Sequence, residues 1–449
     1  MKWPRLQISL PSGKQREILL WIAIPLLSFL AFWFWRSNQW TGGDSAQWER
    51  EIAWGRWLLK RQMFSFAVMQ LAFQITHGLW GWSARMAMGF VSCLAGAFSM
   101  VILWRMFRER SHACLSIAVV ATAGFTTLFY GHMETYAQPV AALLFHLLAV
   151  QRTIEDRWRP WTIVATFGLV MAFHLVILFA LPALAIVVAH QVRRRKSGRR
   201  EYIYLGLAAI PSFVLWIAIT RWGYGFGELV GPHFIHPLSD LLRRPWLVFT
   251  ANRVPEKTMF MVWNGGLASV VAVWVFLRSL APSRRDVMTL HLLAYFLCFL
   301  GFTLVWSPEA GYKDFDLFCF PWVIACVTVA HHIGALPARA VLAGFILGTN
   351  FYLWLTRPVL FSEIGHRGYG TIILESNVPL DTRIVLLDES FYVLPVNKYI
   401  PEGTHRVETW KPKERKITRI INVRPGETYW LRLEESGLYL EKTGSREKQ

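Results

Sequence analysis

The chain has 449 residues, of which 54% are hydrophobic and 15% aromatic, including 23 Trp and 31 Phe. Together with a mean hydropathy of +0.34, this content exceeds that of a soluble domain and predicts a polytopic α-helical membrane protein. The net charge of +18 does not indicate nucleic-acid binding, because the basic residues form short clusters between apolar runs, as at 105–110 and 193–200. Such clusters are typical of the inner side of a membrane.

The first apolar run, 18–35, follows a basic N-terminus and is predicted to be an uncleaved first span, because no small-residue cleavage site follows it. The loop after it, 41–61, reads TGGDSAQWEREIAWGRWLLKR. Asp44 can cap a helix with one aromatic and one charged face, and we expect that helix to lie in the membrane interface. Helical spacing points Asp44 and Glu51 to one side. They are either a helix cap and a solvated charge, or functional carboxylates.

Further apolar runs are long enough to cross a bilayer. The apolar run 63–80 is instead predicted to be a re-entrant or surface-lying hairpin on the outer side, because counting it as a span would put the basic cluster 105–110 outside. About eleven crossings then leave the N-terminus inside and the C-terminus outside. The remaining spans are predicted at 84–104, 112–130, 135–151, 160–174, 175–192, 202–221, 259–278, 287–306, 317–335 and 338–356.

The composition changes beyond Arg367, where short stretches alternate apolar and polar residues, with Pro and Gly between them. These stretches are GTIILESN, TRIVLLD, YVLPV, HRVETW, KITRIINVRP and TYWLRLEE. The pattern predicts a small C-terminal all-β sandwich at 367–449, after a transmembrane domain at 1–366. Basic and acidic residues nearly balance in this tail, which again argues against nucleic-acid binding.

Ionisable residues at the predicted outer ends of the spans are the candidate functional residues. Each has an ordinary structural explanation as well: His174 as a buried, hydrogen-bonded imidazole, and Asp314 with Asp316 as helix caps. Their concentration on one side, opposite inner loops rich in Arg and Lys, favours a site at the outer face. The carboxylates and histidines concerned are Asp44, Glu51, His132, Glu134, His174, Asp314 and Asp316.

The order of these parts resembles the GT-C class of membrane glycosyltransferases, which includes protein O-mannosyltransferases and the aminoarabinose transferases of lipid A. The matching stretches are GGDSAQWEREI, the apolar run 63–80 and SARMAMGFVSCLAGAFSMVILWRMF. YGHMETYAQPVAALLFHLL, FHLVILFALPAL and SPEAGYKDFDLFCFPWV are similar to outer-face motifs of bacterial members. The resemblance covers roughly 15–356. The chain departs from the class in two ways: Asp44 stands alone where several relatives have an acidic pair, and the first loop has no Asp-x-Asp.

The tail resembles a PEGA domain, a small extracytoplasmic β-sandwich named for a Pro-Glu-Gly-Ala turn. The matching residues are Pro401, Glu402, Gly403 and Thr404, followed by His405-Arg406-Val407 and later by VRPGE at 423–427. Thr404 replaces the final Ala of the motif.

The GT-C resemblance implies an enzyme that moves a sugar from a polyprenyl-phosphate carrier to a glycan, lipid or protein acceptor. The reaction would occur at the outer face of a bacterial cytoplasmic membrane, with inversion at the anomeric carbon. Asp44 is the expected general base. No cofactor is implied with certainty, and a divalent cation near Asp314 and Asp316 is left open as an alternative to their holding sugar hydroxyls. Candidates for holding the phosphate are Arg243, Arg244 and Lys313, and candidates for lining the pocket are Glu51, His132, Glu134 and His174.

Two other classes of protein stay open as alternatives. A transporter or lipid flippase often has inverted repeats and broken spans that carry charges at mid-membrane. The two halves of this chain have no evident similarity, and its charges cluster at span ends. A non-catalytic assembly factor would keep the scaffold and recruit a partner through the β-domain, and loss of the tail alone would separate that role from catalysis.

Overall fold

The computed structural model describes residues 13–36, 45–53, 55, 63–133, 135–194, 199–222, 253–281, 286–305, 317–336 and 339–364. In the tail it describes 369–376, 384–387, 390–393, 396–401, 403–410, 417–424, 427–433 and 438–445. The helices are α1 (Gly13–Phe34), α2 (Ser45–Ala53), α3 (Met63–Trp80), α4 (Ala84–Phe107), α5 (Ala113–Ala121), α6 (Ala137–Ile154), α7 (Trp161–Phe173), α8 (Leu181–Arg194), α9 (Arg199–Trp222), α10 (Arg253–Gly265), α11 (Leu267–Ser279), α12 (Val287–Val305), α13 (Phe320–His332) and α14 (Arg339–Ile364). Three short 3-10 segments, Gly124–Phe129, Leu175–Ala180 and Ile333–Ala335, join some of them.

The helical part is that of a membrane protein. Within the described residues, four helical stretches are long and apolar enough to cross a bilayer: Glu17–Phe34, Ala84–Phe107, Leu175–Arg194 and Val287–Val305. A bent pair of helices, Lys257–Gly265 with Leu267–Ser279, gives a fifth if it is counted as one span. Apolar side chains on the outside of α1, such as Ile18, Ile22 and Leu27, are more than half exposed, as expected for a surface that faces lipid. The predicted number of about eleven crossings stays a prediction.

Helix α1 and helix α4 run antiparallel and define two ends of the bundle. At one end, Arg36 approaches the sulfur of Met86 (Nη2 to Sδ, 4.0 Å). At the other end, Arg108 is paired with Glu17 (Nη1 to Oε1, 2.5 Å). We call the end that holds Arg36 and Met86 the cleft end, and the end that holds Glu17 and Arg108 the ion-pair end.

The core of the bundle is formed mainly by α4, α6 and α13. Every residue of α13 from Phe320 to Ala330 is buried. A polar network also lies inside the core: His146 bonds to Thr166 through Nδ1 (2.9 Å) and to Tyr295 through Nε2 (2.7 Å). Because a buried polar group is costly unless it is hydrogen-bonded, this network fixes how α6, α7 and α12 face one another.

Three predicted elements differ from the structure. The run 63–80 is one continuous helix, α3, and not a hairpin. The predicted span 112–130 is interrupted after α5 at Thr122, and the predicted span 259–278 bends by 95° between α10 and α11. These two breaks meet, because a Cβ placed on Gly124 would lie 1.2 Å from the carbonyl oxygen of Trp263. Only glycine permits such a close backbone approach.

The described residues of the tail form eight strands in two sheets: a mixed sheet of order β4-β1-β7-β8, in which β1 and β7 are parallel, and an antiparallel sheet of order β3-β2-β5-β6. Each of the six predicted segments contributes to a strand, whereas the last strand was not predicted. Pro401 ends β4 in one sheet and Gly403 begins β5 in the other, so the predicted PEGA-like turn connects the two sheets. The strands are β1 (Tyr369–Ser376), β2 (Ile384–Leu387), β3 (Ser390–Val393), β4 (Val396–Pro401), β5 (Gly403–Trp410), β6 (Ile417–Val423), β7 (Glu427–Leu433) and β8 (Leu438–Ser445).

Candidate functional site at the cleft end

Helix α2, from the first predicted outer loop, packs on protein at the cleft end. Trp48 and Ile52 are buried in a cluster with Phe66 and Met133, and the rings of Trp48 and Phe66 meet edge to face at 6.1 Å. The aromatic face of α2 therefore packs on protein at these two residues, and the expected position of α2 in the membrane interface stays a prediction. Packing against α3 and α4 removes the apolar face of α2 from water and so fixes the helix in place.

Arg36, just beyond the end of α1, lies with its side chain against Trp33. Its guanidinium carbon is 3.9 Å from the centre of the Trp33 ring, and its Nη1 donates to the Trp33 carbonyl at 2.8 Å. On the other side it meets the turn at Gly131, where φ is +81° and a Cβ would lie 2.9 Å from the Cβ of Arg36. The Nε of Arg36 is buried and has no hydrogen-bond partner among the described residues. This cation is therefore held in place with hydrogen-bonding capacity left over.

Arg85, in the first turn of α4, lines the same small cleft as Arg36. Met86, Gly89, Gly131 and Met133 form its walls. Arg85 donates to Oε2 of Glu49 on α2 from both Nε (3.1 Å) and Nη2 (2.8 Å). Two guanidinium groups thus share one cleft, and the carboxylate found beside them comes from the first predicted outer loop.

Residues 131–133, 135 and 136, which we call the 131–136 turn, form a third side of this region. His132 is buried, and its backbone carbonyl accepts a hydrogen bond from Ser92 Oγ at 2.5 Å. Because this bond ties the turn to α4, the position of His132 relative to the cleft is set by the bundle core. Met133, next to it, packs with α2.

His174 lies between α7 and the following 3-10 segment. Its Nδ1 accepts a hydrogen bond from the backbone N–H of Val176 at 3.0 Å, so the neutral ring carries its proton on Nε2. The ring lies 5.2 Å from that of Tyr136 and 6.2 Å from that of Phe320. His174 therefore joins the 131–136 turn to the start of α13.

Lys257, in α10, brings a further cation close to the start of α13. Its Nζ lies 4.4 Å from the ring centre of Phe318 and 5.5 Å from that of Phe260. Phe318 follows directly on the last predicted outer loop and is fully buried. Contact with the rings of Phe318 and Phe260 thus fixes the position of Lys257. Phe318 lies two residues before Phe320, whose ring is beside that of His174.

The predicted site residues divide into two groups. Glu51, His132 and His174 are described, and all three belong to elements that meet at the cleft end: α2, the 131–136 turn and the turn after α7. Arg36, Arg85 and Lys257 were not among the predicted site residues. The signals for them were slight: a Trp-Arg pair ending the first apolar run, and an arginine opening an otherwise apolar helix. The remaining predicted residues, Asp44, Glu134, Arg243, Arg244, Lys313, Asp314 and Asp316, lie outside the described residues.

The ion-pair end contains a different arrangement of charges. Glu109 accepts two hydrogen bonds from Arg157, at 2.8 and 2.5 Å, and lies 3.6 Å from Arg152 and 3.8 Å from Arg108. The hydrogen bond from Arg157 lowers the pKa of the Glu109 carboxyl to about 2, with smaller contributions from the other two arginines against the opposing effect of burial. Cations and carboxylates at this end largely bind one another.

Comparison with known proteins gives one clear result. The chain matches no protein-family model and no curated protein. Among solved structures it is similar to ArnT from Cupriavidus metallidurans bound to undecaprenyl phosphate, with a TM-score of 0.50 and 15% identity, covering 79% of this chain and 66% of that one. The chain has an ArnT-like fold.

The structure of the same ArnT in the apo state gives a TM-score of 0.48 at 16% identity, covering 78% of this chain and 66% of that one. The resemblance to GT-C, aminoarabinose-transferase-like proteins is confirmed for the fold. The chain spans just under two thirds of the ArnT chain, 66%. The PEGA-like character of the tail stays a prediction.

Proposed function

We propose that the protein is a GT-C-type glycosyltransferase that uses a polyprenyl-phosphate-linked sugar at the outer face of a bacterial cytoplasmic membrane. The observation that carries this proposal is that Arg36 and Arg85 line one cleft, which has a volume of about 10 Å³ in this structure and would have to widen to admit a phosphate. Guanidinium groups match the geometry of phosphate oxygens, and Arg36 keeps a buried N–H available. The ArnT structure with the similar fold holds undecaprenyl phosphate, which supports a lipid phosphate as the ligand.

Asp44 is proposed as the general base. The support for this role is that Asp44 directly precedes α2 in the sequence, and that the buried face of α2 holds this helix beside the cleft. In the proposed reaction, the acceptor hydroxyl attacks the anomeric carbon as Asp44 takes its proton. The bond from that carbon to the phosphate oxygen breaks with inversion, and the phosphate leaves as an anion held by Arg36, with the charge of Arg85 nearby.

The other predicted residues are proposed to complete the same pocket. Glu51, His132 and His174 belong to elements of the cleft end and would contact the sugar or the acceptor. Lys257 would supply a further positive charge near the phosphate. For the residues outside the described ranges, we propose the roles expected from the sequence: Glu134 in the pocket, Arg243, Arg244 and Lys313 on the phosphate, and Asp314 and Asp316 on sugar hydroxyls or a divalent cation.

The first test of this function is the variant Asp44→Asn, which keeps the shape of the side chain but cannot accept the proton. We expect the purified variant to unfold at the parent's temperature and to bind undecaprenyl phosphate normally. Sugar transfer from undecaprenyl-phosphate-linked donors to envelope acceptors should fall by about 100- to 10,000-fold, as for loss of a general base. Asp156→Asn, which changes an exposed carboxyl at the ion-pair end, is the matched control. Full transfer by Asp44→Asn would remove this residue from the mechanism.

The tail, 367–449, is proposed to be a separate extracytoplasmic domain that positions the acceptor and takes no part in the chemistry. A chain ending at Arg367 should still bind undecaprenyl phosphate but lose transfer to the natural envelope acceptor. If the shortened chain transfers to that acceptor at the full rate, the tail has no part in recognition. If the shortened chain transfers only to a small soluble sugar acceptor, the transmembrane domain carries out the chemistry and the tail recognises the natural acceptor, as proposed.

A transporter or flippase is the second candidate, and the 95° bend between α10 and α11 favours it, because broken helices often surround transported substrates. The break is lined by polar but uncharged groups such as Asn350, which donates to Thr122 at 3.1 Å. Reconstituted vesicles separate the two functions. A transporter moves a fluorescent polyprenyl-phosphate analogue between leaflets without acceptor, whereas the proposed enzyme consumes the donor only when acceptor is present.

A further inference from the structure

Asp286, His331 and His332 converge at the ion-pair end, far from the cleft. Asp286 directly precedes α12, and the two histidines end α13. His331 is close to the charged network of this end, because its backbone carbonyl accepts a hydrogen bond from Arg110 at 3.3 Å. The proposed glycosyl transfer makes no use of these three side chains.

The potential ligand atoms have the spacing of a small metal site. Oδ2 of Asp286 lies 3.4 Å from Nε2 of His331 and 3.9 Å from Nε2 of His332, and all three atoms are within 4.8 Å of one another. A tetrahedral zinc ion with nitrogen and oxygen ligands at about 2.0–2.2 Å separates its ligand atoms by about 3.3–3.6 Å. The first distance already fits, and a small rotation of the His332 ring would bring the second into range.

The carboxylate is held in place by groups outside this set. Thr289 donates to Oδ2 of Asp286 from its hydroxyl (2.7 Å) and from its backbone N–H (3.1 Å), so Asp286 also caps α12. The Thr289 hydroxyl also lies 2.5 Å from Nε2 of His332; because its own proton goes to Asp286, it accepts from that nitrogen, and metal binding would replace this hydrogen bond. Such hydrogen bonds to a ligating carboxylate are typical of the outer shell of metal sites, where they fix the ligand's orientation.

The end of α13 is held by contacts with α5 and with His112. The cluster itself is open to solvent. Ser116 donates to the carbonyl of Ala330 at 2.8 Å, and the ring of His112 lies against Gly334, just beyond the histidines. The side chains of His331, His332 and Asp286 are 12%, 23% and 43% exposed, which leaves a path for an ion and room for a water ligand. Catalytic and easily exchanged zinc sites keep an open position of this kind.

We propose that Asp286, His331 and His332 bind one divalent transition-metal ion, with zinc the best match, that joins the start of α12 to the end of α13. Two imidazoles and one carboxylate suit zinc and its neighbours in the first row, whereas magnesium and calcium prefer an all-oxygen set. The ligands come from two helices that are distant in sequence, so the ion would act as a cross-link at the ion-pair end.

The test uses the full chain without a histidine tag, purified in detergent and stripped with EDTA. Cobalt is the first probe, because tetrahedral Co²⁺ with nitrogen ligands absorbs visible light, and zinc is then titrated against a colorimetric chelator. We expect saturable binding of one ion per chain and a higher unfolding temperature with zinc. His331→Ala and His332→Ala should each weaken zinc binding by at least about 10- to 100-fold, the loss seen for removal of even an outer-shell partner.

His190→Ala is the matched control, because it removes a histidine at the same end from outside the ligand set. It should bind zinc as the parent does. If a histidine variant fails to fold, Asp286→Asn keeps the helix-capping oxygen and tests the same site by removing only the charge. Absence of saturable cobalt or zinc binding, or an equal loss in His190→Ala, would show that the cluster is a hydrogen-bonded helix cap only.

Discussion

The charged side chains at the two ends of the helical bundle have different partners. At the ion-pair end, Glu109 pairs with Arg157 and Glu17 pairs with Arg108, so basic residues expected on the inner side of a membrane are balanced by carboxylates. At the cleft end, Arg85 has one carboxylate, Glu49, while Arg36 contacts a tryptophan ring, a backbone carbonyl and a sulfur atom. The difference teaches that the number of cations at an end is a poor guide to function. What matters is whether protein groups already satisfy them.

This contrast has a physical basis. A cation paired with a carboxylate gains little from binding an anionic ligand, because the ligand has to displace the partner. A guanidinium held by an aromatic ring and a carbonyl keeps its full charge, and in a partly buried cleft that charge is weakly screened. The cleft end is therefore the better place for a phosphate, although the ion-pair end has more arginines.

The largest expected effect concerns which end faces outward. We expect Glu389→Cys in the tail to react with a membrane-impermeant thiol reagent in intact cells, and Ser197→Cys, in the basic cluster 193–200, to react only after lysis. The contrast should be nearly all-or-none because the membrane excludes the reagent. Replacing Cys114 and Cys298 with Ser first removes the two natural cysteines that are not buried. The reverse labelling pattern would mean that the molecule has the opposite orientation in the membrane and that the cleft lies on the inner side.

The second effect breaks the cleft end without touching the other end. Ile52→Ala removes a fully buried side chain from the cluster that holds α2 against α3 and α4. We expect a loss of about 2–5 kcal/mol in the stability of this region, measured as a lower unfolding temperature and faster proteolysis of the first loop. Ile22→Ala, on the lipid-facing side of α1 and 58% exposed, is the matched control and should change little. Equal effects of both substitutions would show that α2 is not anchored by this face.

The third effect tests whether Arg36, which has no carboxylate partner among the described residues, binds the lipid phosphate. Arg36→Gln should weaken binding of undecaprenyl phosphate by about 10- to 100-fold, since a hydrogen bond to a charged group is worth about 1.5–3 kcal/mol. Arg157→Gln removes an arginine from the ion-pair end and should leave this binding unchanged. Binding can be measured by quenching of tryptophan fluorescence, with Trp33 directly beside Arg36. If both variants bind equally well, the lipid phosphate does not use the cleft.

The sequence predicted the class of fold but not its breaks. The apolar runs located α4, α7 and α12, and the alternating pattern located most strands of the tail, because burial imposes a period on local sequence. The breaks after α5 and between α10 and α11 were missed. They depend on the backbone of Gly124 meeting the carbonyl of Trp263, two positions far apart in the chain. No local pattern contains that contact.

The site was predicted in outline for a similar reason. The acidic and histidine residues of the outer loops stood out, and His132 and His174 do belong to elements that meet at the cleft end. Arg36 and Arg85 were overlooked, since an arginine at the end of an apolar run is usually a lipid-headgroup anchor. Only the packed structure shows that the two share one cleft and that one of them lacks a carboxylate partner among the described residues.

The smallest expected effect lies at the ion-pair end and depends on pH. The Arg157 hydrogen bond holds the pKa of Glu109 at about 2 in the folded protein, below the value of about 4.3 expected when the chain is unfolded. A carboxyl with a lowered pKa contributes stability that is present above its unfolded pKa and is lost as the pH falls from about 5 towards 2.

Because the side chain of Glu109 is 44% exposed, water screens the pair, and we expect it to contribute no more than about 1 kcal/mol. Glu109→Gln should therefore lower the unfolding temperature slightly at pH 7, and the difference from the parent should shrink at pH 3. A double-mutant cycle with Arg157→Gln isolates the pair, because the two substitutions should be less than additive at pH 7 and additive at low pH. If the difference in unfolding temperature between Glu109→Gln and the parent instead grows on acidification, Arg157 does not stabilise the Glu109 carboxylate. The arginines of the ion-pair end would then not be satisfied by protein carboxylates, and the contrast between the two ends would fail.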